Sequence, residues 1–452
     1  MNESRLTAHS IPSSHLLWGN LKPFMADILG YLENTANIGP FIQFRLFNTR
    51  VYLVSDPELV NTVLTNKSLA FVRNRSFAKR LRRLFGHGLL TSEGDEWKRL
   101  RKLSAPAFQP KSTNTYIPII NDEVNKLVTD WDGCTQVDIA HEMSKITARI
   151  ITRCIFGMEL EVDMAEMEDT MDQLMSSLGP RLRYPIYTPD WLPVGGNVHY
   201  RKAVHRVDRF IYSGIQARLS DSGEQQPSLL ADLMAASAHN GDIRKSHLRD
   251  QIVTLFLAGH ETTASTLTFA FILLSKHPHH FAKLCAEVRS CNLDGFDNLN
   301  AIRESLPVTY NIVREVMRLY PAGYIFGRTV IADTQLGAEN LKTGSLVMVS
   351  PYVIHRNPDV FPNPEQFDPD RWHNLDVSRS QYLPFSAGAR TCIGEYLAML
   401  EACLILAGIV ARFDVTCGID PITIMPAITL RATNNTKATI ARCAHIINRA
   451  LN

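Results

Sequence analysis

The run Phe385-Ser386-Ala387-Gly388-Ala389-Arg390-Thr391-Cys392-Ile393-Gly394 constrains this chain more than any other stretch, because it sets one cysteine in a glycine-punctuated loop just before a long apolar segment. Cysteine ligates as the thiolate. A loop that opens onto a helix N-terminus points backbone N–H groups and the positive end of the helix dipole at the sulfur, which predicts a lowered pKa for Cys392. Gly388 and Gly394 permit backbone geometries and close approaches that a Cβ would block. Arg390 offers a fixed cation to an anionic group held beside the loop. A free cysteine is more often an inert core residue, and it is the spacing Phe-x-x-Gly-x-Arg-x-Cys-x-Gly that argues for a ligand here.

Four other constellations stand out. Ala258-Gly259-His260-Glu261-Thr262-Thr263 lies inside the apolar segment Thr254 to Ser275, whose length and flanks read as a helix. A glycine at mid-helix costs about 1 kcal/mol relative to alanine, and an acid followed by an alcohol is expensive in an apolar helix unless both are bonded or face water. Gly259 is therefore expected to leave a gap against which something flat can lie. His260 reads either as a substrate contact or as a satisfied polar contact between helices. Glu315-Val316-Met317-Arg318 places an acid and a base on one helix face, with Pro321 after its end, and Pro369-Asp370-Arg371-Trp372 follows further on. Near the front, Trp97 and Arg101 stand one helical turn apart, with Lys98, Arg99 and Lys102 around them.

Together these stretches resemble the cytochrome P450 family, in the family's order and over most of the chain. The resemblance implies that Cys392 is the thiolate ligand of a haem iron, that Phe385 packs against it, and that Gly394 completes the loop. It implies propionate contacts from Trp97, Arg101, Arg328, His355 and Arg390, and a buried structural cluster of Glu315, Arg318 and Arg371. In Pro369–Trp372, Asp370 and Trp372 depart from the family's Glu and Phe. Thr262 and Glu261 correspond to the alcohol and acid that manage oxygen and protons. The implied cofactor is haem b, iron protoporphyrin IX, whose thiolate ligand favours O–O cleavage over oxygen storage.

Helix-like periodicity marks the regions around 55–65, 114–130, 140–158, 200–220, 228–238, 246–275, 278–289, 308–320 and 395–411. Short strands are expected in 41–54, 329–332 and 346–349. The expected fold is mainly α with small β-sheets, the cytochrome P450 fold, in one haem domain over residues 1–452. Ser222 to Pro227 is the most loop-like interior stretch, and Asn357 to Trp372 reads as a proline-rich meander. At 45% hydrophobic and 20% charged the chain can bury a large core, and a net charge of +2 with no aromatic-interleaved basic pattern gives no reason for nucleic acid. Eight cysteines without paired spacing support neither zinc nor a disulfide framework. Met1 to Asn20 holds no long apolar run, so neither a cleaved signal nor a membrane anchor is expected and the cytoplasm is the expected compartment.

The implied function is a haem-thiolate monooxygenase that uses O2 and externally supplied electrons to oxidise a hydrophobic small molecule, such as a terpenoid, fatty acid or other secondary metabolite. The chain has no flavin- or nicotinamide-binding fingerprint, so a separate donor, a ferredoxin with its reductase, is expected to dock on the basic face at Lys98, Arg99 and Lys102. Two alternatives stay open: coupling, desaturation or ring closure without oxygen insertion, and a non-enzymatic haem gas sensor. The substrate pocket is expected from Ser76–Leu90, from Met171–Leu192, from Leu257–Glu261 and from the turn Ala322–Phe326, with Phe77, Leu81, Leu84 and Phe85 supplying apolar surface.

Overall fold

The structure is a computed structural model that describes residues 6–65, 70–160, 164–183, 192, 196–220, 227–240 and 245–443. Residues 1–5, 184–191 and 222–226, parts of the N-terminal, pocket and loop expectations above, lie outside the described residues. Helices carry most of the chain. Seven of them frame the site: α1 (Arg75–Phe85), α2 (Gly94–Ser104), α3 (Ile117–Asp130), α4 (Ile139–Phe156), α5 (Lys245–Lys276), α6 (Pro307–Leu319) and α7 (Glu395–Val410). Local sequence sets their ends. Asn74 caps α1 by accepting from the N–H groups of Ser76 and Phe77 at 3.1 and 3.2 Å, Asp138 does the same for α4, and Gly157 stops α4 in the left-handed conformation at φ +68°.

At 32 residues, α5 spans about 48 Å at 1.5 Å per residue. Its side chains from Ile252 to Leu274 are almost all buried, as expected of a helix that is apolar on every side and sits at the centre of a fold. The apolar helix α7 packs against α3, α5 and α6. One hydrophobic cluster joins these helices from Ile28 through to Ile440.

A six-stranded sheet lies beside the helices, in the order His9–Ser10, β1 (Phe41–Leu46), β2 (Thr49–Val54), β5 (Leu346–Val349), β4 (Phe326–Val330), β3 (Phe71–Arg73). β1 and β2 form a hairpin with Phe41 opposite Val54 and Leu46 opposite Thr49, while β2 runs parallel to β5. β4 is antiparallel to both neighbours, in a register that sets Arg73 directly opposite Arg328. A second, smaller cluster covers this sheet and takes in Leu64, Leu383 and Ala387 from the cysteine loop's surroundings. Near the C-terminus the hairpin β6 (Ile424–Pro426) and β7 (Leu430–Ala432) reaches back to α5 and to the turn after α6, through Leu430 N–H to Ala322 O at 3.3 Å and the Ser265 hydroxyl to Leu430 O. No described helix is long and apolar enough to cross a membrane.

Candidate active site

The cysteine loop is a tightly closed turn. The Cys392 N–H donates to Phe385 O at 2.9 Å, and Ser386 and Gly388 both take positive φ, +62° and +71°. Gly388 is required twice over, since a Cβ there would also sit 2.3 Å from Leu64 O. Gly394 is different: it caps α7 at φ −92°, and a Cβ would meet only Phe108 at an ordinary 3.7 Å. Cys392 shows accessible surface, yet the protein around it desolvates its sulfur. The expectation of a lowered thiol pKa is corrected: burial pushes the Cys392 thiol up, the Gly394 N–H pulls it down, Glu395 pushes it up and Arg101 pulls it down. Desolvation outweighs the helix terminus, so the free chain holds a thiol, and a bound cation is what makes the thiolate the favoured form.

Around this cysteine the fold gathers guanidinium groups. Arg101 of α2 donates to Thr391 O at 2.9 Å. Arg390 lies over the Trp97 ring at 4.0 Å, donates to Ser92 O at 3.1 Å and pairs with Glu93 at 2.7 Å. Arg328 is held down to about 10, by burial and then by Arg390. Arg73 has no counterpart among the sequence expectations. Burial, then Arg390 and Arg328, hold it down to about 9, and its buried Nε has no hydrogen-bond partner. Among the described residues, Glu93 is the one acid that acts on all three of Arg73, Arg328 and Arg390. An accessible thiol beside cations short of counter-charge is a donor set that fits an iron porphyrin with two carboxylates.

His355 is the exception among the expected propionate contacts. Its Nδ1 lies 3.1 Å from Arg318 O and its Nε2 accepts the Leu383 N–H at 2.7 Å, in a fully buried site. Both ring nitrogens are spent on backbone. Burial holds the ring down to about 3, so it stays neutral and serves the Glu315 cluster instead.

That cluster is assembled as expected. Glu315, fully buried, accepts from Arg318 at 2.8 and 3.0 Å, from Arg371 Nε at 3.0 Å and from the Asp368 N–H at 3.0 Å. The departure to Trp372 is put to use, because its indole N–H donates to Glu315 Oε2 at 3.1 Å, a bond that a phenylalanine could not make. Arg318 and Arg371 also bind the carbonyls of Pro362, Pro364 and Gln366. These bonds fix the meander that leads into the cysteine loop.

On α5, Ala258 is exposed and Gly259 and Thr262 are half-buried, whereas Leu257, His260, Glu261 and Thr263 are buried. Three positions at i, i+1 and i+4 thus form one open face on an otherwise covered helix. The Thr262 hydroxyl on that face donates to Ala258 O at 2.7 Å. The expected role of Gly259 needs correction: its missing side chain makes room for Ile151 of α4, whose Cδ1 would stand 2.9 Å from a Cβ. His260 is buried, with its Nε2 2.8 Å from the Ser144 hydroxyl, the helix-interface contact. Glu261 is clasped by Arg431 of β7 through both carboxylate oxygens and accepts from the Thr429 hydroxyl at 3.0 Å. Burial pushes this carboxyl up, but Arg431 outweighs it and holds the acid below its usual range. Of the expected apolar pocket residues, Leu81, Leu84 and Phe85 are core residues and only Phe77 keeps open surface. Tyr324 is tied by its hydroxyl to Ala427 O at 3.0 Å.

The chain matches the family model described as cytochrome P450 over residues 10–438. It is 34% identical over 392 residues to cyclooctatin synthase of Streptomyces melanosporofaciens, covering 85% of each chain. It is 31% identical over 413 residues to cyclooctat-9-en-7-ol 5-monooxygenase of the same organism, covering 90% of this chain and 89% of that one. With pentalenene oxygenase of Streptomyces avermitilis it shares 29% over 428 residues, covering 92% and 93%. The chain belongs to the cytochrome P450 family. It is a monooxygenase with a haem-thiolate cofactor, and it works with O2 and a source of electrons.

Proposed function

We propose that this enzyme hydroxylates a terpenoid-like small molecule held against the open face of α5. The observation that carries this reading is the make-up of that face: Ala258 and Gly259 offer no polar side chain, and Thr262 is the one hydroxyl among them. An apolar wall favours an apolar substrate by roughly 25 cal/mol per Å2 of surface removed from water. The names of the three relatives, which concern cyclooctatin and pentalenene chemistry, support the same substrate class.

In this reading the cofactor is haem b. Cys392 ligates its iron, while Arg73, Arg101, Arg328 and Arg390 hold its propionates and Trp97 positions Arg390. Phe385 and Gly394 shape the loop around the sulfur. Bound haem supplies the redox-active iron at which O2 is reduced. Thr262 presents a hydroxyl oxygen on the pocket face, its proton resting on Ala258 O, and Glu261 sets a fixed negative charge behind it. Residues 1–452 act as one haem domain in the cytoplasm, with electrons from a ferredoxin and its reductase. Lys102 is exposed and Lys98 is held only by a surface pair with Asp95, so both are free to meet an acidic donor, whereas Arg99 is engaged by His247 at 3.3 Å.

The test is turnover under 18O2 with a surrogate ferredoxin system and a panel of cyclic sesquiterpene and diterpene hydrocarbons and alcohols. The expected result is a substrate-induced shift of the haem absorption spectrum and a product one labelled oxygen heavier. A product without label would replace hydroxylation by coupling, desaturation or ring closure. Tight spectral binding restricted to small charged compounds would overturn the substrate class.

A further inference from the structure

Single exposed apolar side chains are ordinary on a protein surface, but here three from two separate stretches meet at one tip. Leu16 is 87% exposed, Leu17 66% and Phe47 41%. Phe47 follows β1 in the turn of the hairpin, and the loop 15–18 lies against it: the Phe47 N–H donates to Trp18 O at 3.0 Å and the two rings sit 5.5 Å apart.

The tip is fastened from within. The Arg45 guanidinium on β1 donates to Phe47 O at 2.8 Å, His15 O at 3.1 Å and Leu17 O at 3.4 Å, and to Leu16 O as well. Gly19 takes φ +58°, and a Cβ there would stand 2.3 Å from Arg45 O, so the loop closes onto the hairpin only with glycine at this position. A held loop, and no fraying end, presents the two leucines. Phe47 itself takes φ +54° as the first of two turn residues, where a hairpin ordinarily places glycine.

The charges around the tip are of one sign. Residues 6–26 and 40–54 contain no aspartate or glutamate, yet they carry Lys22, Arg45 and Arg50. Arg50 stands directly opposite Arg45 across the hairpin, which puts both side chains on one face, and Lys22 is exposed. Asp27, the next acid along the chain, caps a helix by accepting the Gly30 N–H at 3.0 Å. The helix Leu21–Ala26 buries none of its residues fully and adds the half-buried Phe24 and Met25 to this side. Apolar points among cations without counter-charge fit acyl chains beneath anionic headgroups. A second copy fits poorly, because two-fold pairing of the same patch would set these cations against one another with no carboxylate between them.

We propose that this tip docks the enzyme on an anionic phospholipid surface. Leu16, Leu17 and Phe47 enter the headgroup boundary of one leaflet, and Lys22 and Arg50 meet lipid phosphates.

The experiment mixes ferric holoenzyme with sucrose-loaded vesicles, either phosphatidylcholine alone or equal parts phosphatidylcholine and phosphatidylglycerol, and measures the fraction that sediments with lipid. At low salt the wild type is expected to bind the anionic vesicles about tenfold more tightly than the neutral ones, a difference that shrinks as salt is added. Leu16→Ser with Leu17→Ser should weaken binding about tenfold, and Lys22→Gln with Arg50→Gln should remove the preference for anionic lipid. Phe47→Gly should also bind less while melting no lower than wild type, since glycine accepts the backbone of the turn. An unchanged carbon monoxide spectrum of the reduced protein shows that each variant is folded around its haem. Wild type left in the supernatant with both kinds of vesicle overturns the proposal. So does a leucine variant that binds as tightly as wild type, since net positive charge alone would then account for binding. A dimer in sedimentation velocity that the leucine variant dissolves also overturns it and assigns the tip to a second copy.

Discussion

Gly388→Ala and Gly394→Ala change two glycines of one loop, yet their consequences should differ. At Gly388 a Cβ meets Leu64 O at 2.3 Å on a backbone of φ +71°, so a loss of about 2–4 kcal/mol is expected. The haem content of purified Gly388→Ala should fall with it. At Gly394 nothing in the protein stands closer than 3.7 Å, and thermal melts of that variant should stay within about 2 °C of wild type. Cys392→Ser is the sharper probe of ligation. Reduced protein with carbon monoxide should show the red-shifted band of thiolate-ligated haem, and only Cys392→Ser among single Cys→Ser changes should lose it. Most of these residues are legible in the sequence because their chemistry is local to a motif. Arg73 is not, since its meaning comes from the register that pairs it with Arg328 some 255 positions away. His355 misleads for the converse reason: its place in the chain implies a propionate contact, and only the fold shows both ring nitrogens consumed.

Between elements, the contact of α4 with α5 turns on one missing side chain. Gly259→Ala would press a methyl to 2.9 Å from Ile151 Cδ1, and over-packing of this kind costs about 1–3 kcal/mol. Ile151→Val alone should cost about 1 kcal/mol. The double variant should be more stable than the sum of the two, because the shorter valine side chain relieves the clash; urea denaturation of the four proteins measures the coupling. The helices themselves are largely readable from periodicity: the expected 140–158, 246–275 and 395–411 appear as Ile139–Phe156, Lys245–Lys276 and Glu395–Val410. Phe41–Val54 reads as strand and is two strands around a turn. The short strands Phe413–Cys417 and Lys437–Arg442 escape notice because they find each other across some 20 residues. Nothing in five or six residues announces such a partner. The helix Arg75–Phe85 reads in sequence as apolar pocket wall, but its apolar side turns into the core.

Across the whole molecule, the two buried acids beside α5 shape stability against pH in opposite senses. Glu401 of α7 is raised by burial from 4.5 to about 8 in the folded state, so between those values the unfolded chain releases a proton that the folded one keeps. Stability then falls with rising pH, by about 1.4 kcal/mol per unit from this group. Glu261 is depressed, so its contribution is complete above its usual value near 4.5 and is lost as pH drops below it. Chemical denaturation of wild type and Glu401→Gln from pH 5 to 8 should show a flatter alkaline limb in the variant. Arg431→Met should cost about 3 kcal/mol near neutrality by leaving Glu261 buried without its partner. The difference should shrink in acid, where that carboxyl is protonated.

The crowding of Arg73, Arg328 and Arg390 around the carboxylate of Glu93 carries a consequence for the living cell. Like charges set side by side weaken a fold until something of opposite sign arrives, and here that something must be imported or synthesised. Newly translated chains in a haem-starved cell should therefore be short-lived substrates for proteolysis, so that iron and porphyrin supply set how much of this enzyme persists as well as how much of it is active. Pulse-chase half-lives with and without a haem precursor should differ severalfold for wild type and much less for Arg73→Gln, in which the mutual repulsion is eased before the cofactor binds.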